Sequence, residues 1–304
     1  MRFGIAIPQH VGAEGFDATA FKAHLERAEE LGFESAWVQE QVLGPASTLS
    51  PLGALTYAAA CTERLRLGCA VLVTPLHNPV HLAKEIATLD QLSHGRLELG
   101  IGAGGRARPF AAFGVNPPAP VARFTEGLEL MKACWRDREI TFHGRFWKLE
   151  RASMAPKPAQ RPHPPIWVGG SHPNGIRRAV HLADGFIGAG SQSTAQFAEQ
   201  ARIAREELAR LGRDPASFRI AKRVYVHVDD DASRGARRLE AALTRHYGRG
   251  GWSELVLAGP PERCVAGLRE VVAAGAELIL LNPLEDETPQ MERLAAEVVP
   301  ALLR

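Results

Sequence analysis

The chain has 304 residues, with 36 Lys+Arg against 34 Asp+Glu, a formal net charge of +2, 45% hydrophobic residues and 23% charged ones. That length and apolar content allow a large buried core and exclude disordered and fibrous classes. The near-zero charge, with no basic run longer than two residues, argues against nucleic acid or an anionic membrane as partner.

Short β-type runs alternate with amphipathic helical runs. Phe3 to Ile7 reads as a first strand broken by Pro8, rather than as a signal peptide. Phe21, Leu25, Ala28 and Leu31 recur at helical spacing until Gly32 ends the helix. Ser35 to Val38 is the second strand, Pro51 to Cys61 a helix, and Leu67 to Val73 the third strand. Asn78 and Pro79 open a helix to Leu92 as N-cap and first-turn proline, and Leu97 to Ile101 is the fourth strand. Four prolines make 106 to 120 a loop. A helix from Phe124 to Trp135 follows, then a hairpin from Ile140 to Leu149 about His143-Gly144, then a proline-rich connector. Ile166 to Val168, Gly185 to Ile187, Ile220 to Val228 and Leu278 to Leu281 read as four more strands. Helices lie near Asn174 to Leu182, Gln196 to Leu211, Ser233 to His246, Pro261 to Ala274 and Pro289 to Leu302.

Eight strands separated by helices force a parallel α/β sheet, and the eight-fold count favours a closed (β/α)8 TIM barrel over an open one. The expectation is a single barrel domain over residues 1–304 with insertions after strand 4. The longest stretch without formal charge, Leu67 to Ala83, falls short of the ~20 apolar residues of a spanning helix. Cys61, Cys69, Cys134 and Cys264 form no Cys-x-x-Cys pair, so neither a disulfide framework nor a thiolate metal site is expected, and the location expected is cytoplasmic.

Chemistry in such a barrel sits at the C-terminal strand ends. That rule selects Pro8-Gln9-His10, Gln39-Glu40-Gln41, Val73-Thr74, Gly102 to Arg108, Gly169 to His172, Gly188 to Gln192, and Asn282. Gly100, Gly102 and Gly105 satisfy G-x-G-x-x-G after a strand, but a proline-rich loop follows in place of a dinucleotide-binding helix. The glycines therefore mean either close approach of something flat or tight packing at the rim. Gly169-Gly170-Ser171 runs from a strand into a helix, where free N–H groups favour a phosphate; an ordinary turn with an Asn cap is the alternative. His77 and His81 have metal-ligand spacing, but Asn78-Pro79 between them starts a helix, so no metal is expected. His10 is either a substrate-contacting or proton-transferring group or a solvated loop histidine. Trp37 reads as core.

Taken in order, several segments resemble the luciferase-like monooxygenase superfamily, in its coenzyme F420-dependent group. They are Met1 to Pro8, Leu31 to Val38, Glu63 to Gly68 through Asn78-Pro79, Leu89 to Leu97, Phe142-His-Gly-Arg-Phe146, Pro164-Pro-Ile-Trp-Val-Gly-Gly170 and Ala183-Asp-Gly-Phe186. The resemblance implies a barrel holding F420, or FMN as the alternative, with its ring over the mouth and its phosphate at Gly169, Gly170 and Ser171. It places ring support at Ala70 and Val71 across a non-prolyl cis peptide, close backbone approach at Gly102, Ala103 and Gly104, and ring-edge contact at Glu40 and Gln41. Glu40, Gln41, His10 and His77 are the candidates for orienting substrate. Gln41 stands where relatives often have a histidine and Gly105 where some have a glutamate, so their acid–base pair is not carried over. The implied activity is hydride transfer between F420 and a small organic substrate; the alternatives are an FMN monooxygenase fed by a separate reductase and a non-catalytic flavin-binding or interaction protein. A homodimer is implied as well, and Arg106, Arg108 and Arg177 are possible attractors of an anionic cofactor.

Overall fold

The computed structural model describes residues 1–12, 14–44, 46–105, 110–115 and 120–303. Its elements in order are β1 (Arg2–Ala6), α1 (Ala18–Glu30), β2 (Ser35–Val38), α2 (Pro51–Cys61), β3 (Arg66–Cys69), β4 (Leu72–Val73), α3 (Pro79–Leu92), β5 (Leu97–Gly102), α4 (Pro120–Arg136), β6 (Ile140–His143) and β7 (Lys148–Ala152). Then come β8 (Ile166–Gly169), α5 (Pro173–Leu182), β9 (Gly185–Gly188), α6 (Thr194–Arg210), β10 (Arg219–Val228), α7 (Ala232–Tyr247), β11 (Leu257–Gly259), α8 (Pro261–Ala273), β12 (Leu278–Asn282), α9 (Glu287–Arg293) and α10 (Val299–Leu303). Parallel pairing runs β12-β1-β2-β3-β5-β8-β9-β10 and returns from β10 to β12, closing the eight-stranded (β/α)8 barrel.

Three details depart from the sequence reading. The third barrel strand is two pieces, β3 and β4, separated at Ala70-Val71, whose peptide is cis as the resemblance implies. β11 goes unforeseen because it is only Leu-Ala-Gly, paired with the part of β10 that outruns the barrel (Val226 opposite Leu257, Val228 opposite Gly259). The last helix is interrupted by a π turn over Leu294–Val298, with the Val299 N–H on the Leu294 carbonyl. Pro300 has no N–H to give the Ala296 carbonyl and would crowd it, and the wider turn accommodates that.

Residues facing out of the strands, such as Ile5, Val38, Leu67, Ile101 and Phe186, pack under the helices. The interior is filled by Trp37 and Trp167, edge to face at 6.3 Å, with Ile187, Ala221, Leu278 and Leu280. A Cβ at Gly4, Gly68 or Gly185 would overlap one of these indoles, so strand glycines make the room the rings occupy. Burying an indole removes roughly 200 Å² from water, on the order of 4–5 kcal/mol of transfer free energy, so the two rings plug the middle of the barrel. Beneath them Glu98 accepts from Arg66 Nε (2.5 Å) and Trp167 Nε1 (2.6 Å). The hairpin β6–β7 packs outside, its tip held by the Glu126 carboxylate of α4, which accepts the N–H groups of Arg145, Phe146 and Trp147.

Candidate active site at the barrel mouth

At the C-terminal strand ends the chain must leave the sheet, so polar side chains there lose ladder partners and gain space. Gln9 fixes the first two exits to each other: its Nε2 donates to the Gln39 carbonyl (2.8 Å), and its Oε1 accepts the Gln39 N–H (2.5 Å). A cleft opens beside this clasp, lined by His10, Gln41, Thr48, His246, Asn282 and Glu287 among others. A smaller cleft shares Ala6, Gln39 and Asn282 with it and adds Trp37, Ala70 and Arg223.

The wall carrying His246 is the last turn of α7, which stops at Gly248 in the left-handed conformation (φ 68°). The loop leading to Glu287 is fastened to that helix by Arg238 on Asp286 (2.6 Å) and Glu285 (3.3 Å), and by Arg245 on Glu285. Behind it, His24 Nδ1 lies 2.8 Å from the Thr288 hydroxyl.

Arg223 points inward from the middle of β10. Its Nη1 donates to the Ala70 carbonyl (3.1 Å) and its Nη2 to the Tyr247 hydroxyl (3.4 Å), while its plane lies 5.4 Å from the Tyr225 ring. No carboxylate among the described residues forms an ion pair with it. Burial pulls the His10 imidazole below its usual range. Burial first, then the Arg223 and His10 charges, bring His246 down to about 4. Burial pushes the Glu287 carboxyl up to about 7. Near neutral pH the described residues here therefore include the uncharged imidazoles of His10 and His246, the Glu287 carboxyl poised to give or take a proton, and the Arg223 guanidinium without a counter-ion.

Among the described residues, eight buried side-chain N or O atoms have no hydrogen-bond partner, and five of them gather here: Gln41 Oε1, Thr74 Oγ1, Arg223 Nε, His246 Nδ1 and Asn282 Nδ2. Such atoms are rare in folded proteins and costly, so a cluster at one end of a barrel marks where a polar ligand completes the structure.

The residues selected from the sequence fall into distinct environments. His10, Gln41 and Asn282 line the larger cavity. Glu40 offers no free oxygen: Oε2 accepts the Val73 N–H (2.5 Å) and Oε1 lies 2.7 Å from His77 Nε2, so both side chains look to each other rather than to a ring edge. Gly102 and Gly169 are explained by packing, since a Cβ at either would lie 2.9 Å from a Val71 methyl. Ala103 packs partly buried against the core, and Gly104 takes a positive φ of 75°. At the β8–α5 junction His172, not Asn174, is the N-cap, its Nδ1 accepting the Asn174 N–H. Gly170 is open, with no atom within 4 Å of where its Cβ would be, and Ser171 is exposed. Arg177 turns toward Asn174 and Glu207. Arg106 and Arg108 lie outside the described residues. Arg223, His246 and Glu287 were not selected from the sequence. Arg223 shares its strand with Arg219, Lys222 and His227, so no local signal singles it out; His246 and Glu287 sit on helices, where the strand-end rule does not look.

A model of the luciferase-like monooxygenase family matches residues 1–251. An uncharacterized protein of Sinorhizobium fredii is 34% identical over 166 residues, 53% of this chain and 47% of that protein, so the chain spans about half the length of such relatives. The F420-dependent glucose-6-phosphate dehydrogenase of Kineococcus radiotolerans is 28% identical over 313 residues, 91% of this chain and 90% of that protein. Among solved structures, the monooxygenase RslO1 of Streptomyces bottropensis superposes with a TM-score of 0.85 at 25% identity, covering 99% of both chains. With a family match over most of its length and a closed barrel whose mouth gathers its unpartnered polar atoms, the chain belongs to the luciferase-like monooxygenase family.

Proposed function

We propose that the protein is a flavin- or deazaflavin-dependent oxidoreductase that moves a hydride between coenzyme F420 and a small organic substrate at the barrel mouth. The observation that carries this reading is the set of unpartnered buried polar atoms at the mouth, two of whose residues, Arg223 and Asn282, share a lining with Ala70 and Trp37. A flat ring edged with nitrogen and oxygen fits such a lining, and the open space over Gly170 fits a phosphate beside Gly169 and Ser171. When bound, the cofactor supplies the electrons as hydride. The chain's share is to seat the ring on Ala70 and Val71, to present Gln41 and His10 to ring or substrate, and to keep water out through the Gln9 clasp. Glu40 is a positioning group that holds Val73 and His77.

Similarity over nine-tenths of an F420-dependent dehydrogenase favours F420. The superposition on a monooxygenase favours the second reading, an FMN enzyme served by a separate reductase. A second copy of the chain is the partner implied in either case. No helix among the described residues is long and apolar enough to cross a membrane.

Fluorescence titration of the purified protein with F420 and with FMN separates these readings. Tight F420 and weak FMN binding is expected; the reverse establishes the second reading, and binding of neither removes both. Gly170→Asp tests the phosphate position. The side chain has room and no left-handed backbone to strain, so its charge alone should cost at least tenfold in cofactor affinity. Unchanged affinity places the phosphate elsewhere.

A further inference from the structure

We propose that Arg223 and Asn282 form an anchor for the carboxylate of a small, largely apolar substrate acid. This rests on the reading of the mouth as the site of reaction, and it adds a substrate class. A buried guanidinium is stabilised where its N–H groups are met, as they are at Arg96. Arg96, also buried, gives Nε to the Ser93 carbonyl, Nη1 to Thr62 Oγ1 and the Leu65 carbonyl, and Nη2 to the Ala59 and Thr62 carbonyls. Arg223 has a carbonyl, a phenol and an aromatic face, and its buried Nε meets nothing.

The neighbouring donor is Asn282, 3% exposed, whose Nδ2 is likewise unpartnered. Parallel pairing sets Tyr225 opposite Asn282, and Arg223 lies two residues before Tyr225 on the same inward face, so both side chains line one cavity. The remaining walls there, Ala6, Trp37, Ala70 and Leu280, are apolar. In such surroundings an anionic oxygen is held far more strongly than in water. The carboxyls nearby do not fill the role. Both oxygens of Glu40 are engaged with Val73 and His77, and Glu287 lines the outer cavity without pairing to Arg223. A carboxylate supplies the missing charge and accepts from both donors, while its hydrocarbon part lies toward Ala6 and Leu280 and leaves the Ala70 and Trp37 floor to the ring.

Calorimetric titration of the whole protein with benzoate and with its neutral analogue benzamide, each with and without saturating F420, tests the anchor. Benzoate should bind at least tenfold tighter than benzamide, and Arg223→Gln should erase the difference. Asn282→Asp sets a carboxylate beside Arg223, so it should lose benzoate at least tenfold while melting at a higher temperature, which keeps the test informative if Arg223→Gln fails to fold. Equal affinity for the two probes, no benzoate binding, or unaltered benzoate binding by Asn282→Asp overturns the proposal. It is also overturned if F420 displaces benzoate and loses as much affinity in Arg223→Gln, because the oxygen held is then the cofactor's own. Selective benzoate binding by a protein that takes up no F420 upholds the anchor and removes only the cofactor reading.

Discussion

At the base of the barrel the Arg96 guanidinium gives all five of its N–H groups to oxygens, three of them carbonyl or hydroxyl groups at the end of α2 (Ala59 and Thr62). At the mouth Arg223 engages one carbonyl and one phenol and leaves Nε unmet. The same contrast runs through their neighbours: Glu98, Asp90 and Gln160 below are hydrogen-bonded to Arg66, Trp167 and one another, whereas Gln41, Thr74, His246 and Asn282 above each keep an idle atom. A buried polar group that is satisfied adds to the fold, and one that is not subtracts from it until something binds. The cluster around Arg96 and Glu98 adds to stability, while the mouth, beside the satisfied Gln9 and Glu40, keeps several polar atoms free for a ligand.

Removing the best-satisfied group should break the base most visibly. Arg96→Met strands carbonyls at the end of α2 and should cost about 3–5 kcal/mol in urea denaturation, with cofactor affinity of the folded protein unchanged. A loss below about 1 kcal/mol would erase the distinction between the two ends.

The mouth should show itself through pH. The Glu287 carboxyl, at about 7 when folded and near the ordinary 4.5 when unfolded, binds more protons folded than unfolded between those values. Its contribution is therefore complete below pH ~4 and is lost as pH rises through 7. His24 and His246, both near 4 in the folded protein, act oppositely, adding stability as pH climbs from 4 to 6.5. Comparison with Glu287→Gln isolates the carboxyl: from pH 5 to 8 the wild type should lose about 2 kcal/mol relative to the variant. Parallel curves would mean that this carboxyl is ordinarily solvated.

Smaller effects sharpen the boundary between the ends. Gly102→Ala brings a methyl against Val71 and should cost about 1–2 kcal/mol, recovered in part when Val71→Ala is added. No recovery would return that glycine to a ligand-approach role. His246→Phe replaces an unpartnered nitrogen with an apolar edge and should be neutral or stabilising by up to about 1 kcal/mol while weakening ligand binding.

Most of the barrel is legible in the sequence because parallel strands buried on both faces are continuous apolar runs, and caps such as Asn78-Pro79 mark helix starts by local chemistry. β11 is not, since three residues carry no period. The site was half legible. Gln9, His10, Gln41 and Asn282 lie where strands end, but the three groups that set the mouth's charge sit in a strand interior (Arg223) and on the two helices flanking the opening (His246, Glu287). Gly102 and Gly169 also make room for Val71, a pairing distant in sequence that no local pattern records.

The fastening of the Glu287 loop to α7 makes the rim uneven. Arg238, Arg245, Glu285 and Asp286 form ion pairs that are partly open to solvent, so dissolved ions weaken them. The neighbouring exit, clasped by Gln9 through uncharged amide bonds, has no such sensitivity. Ionic strength thus acts on the Glu287 side of the rim and not on the Gln9 clasp beside it.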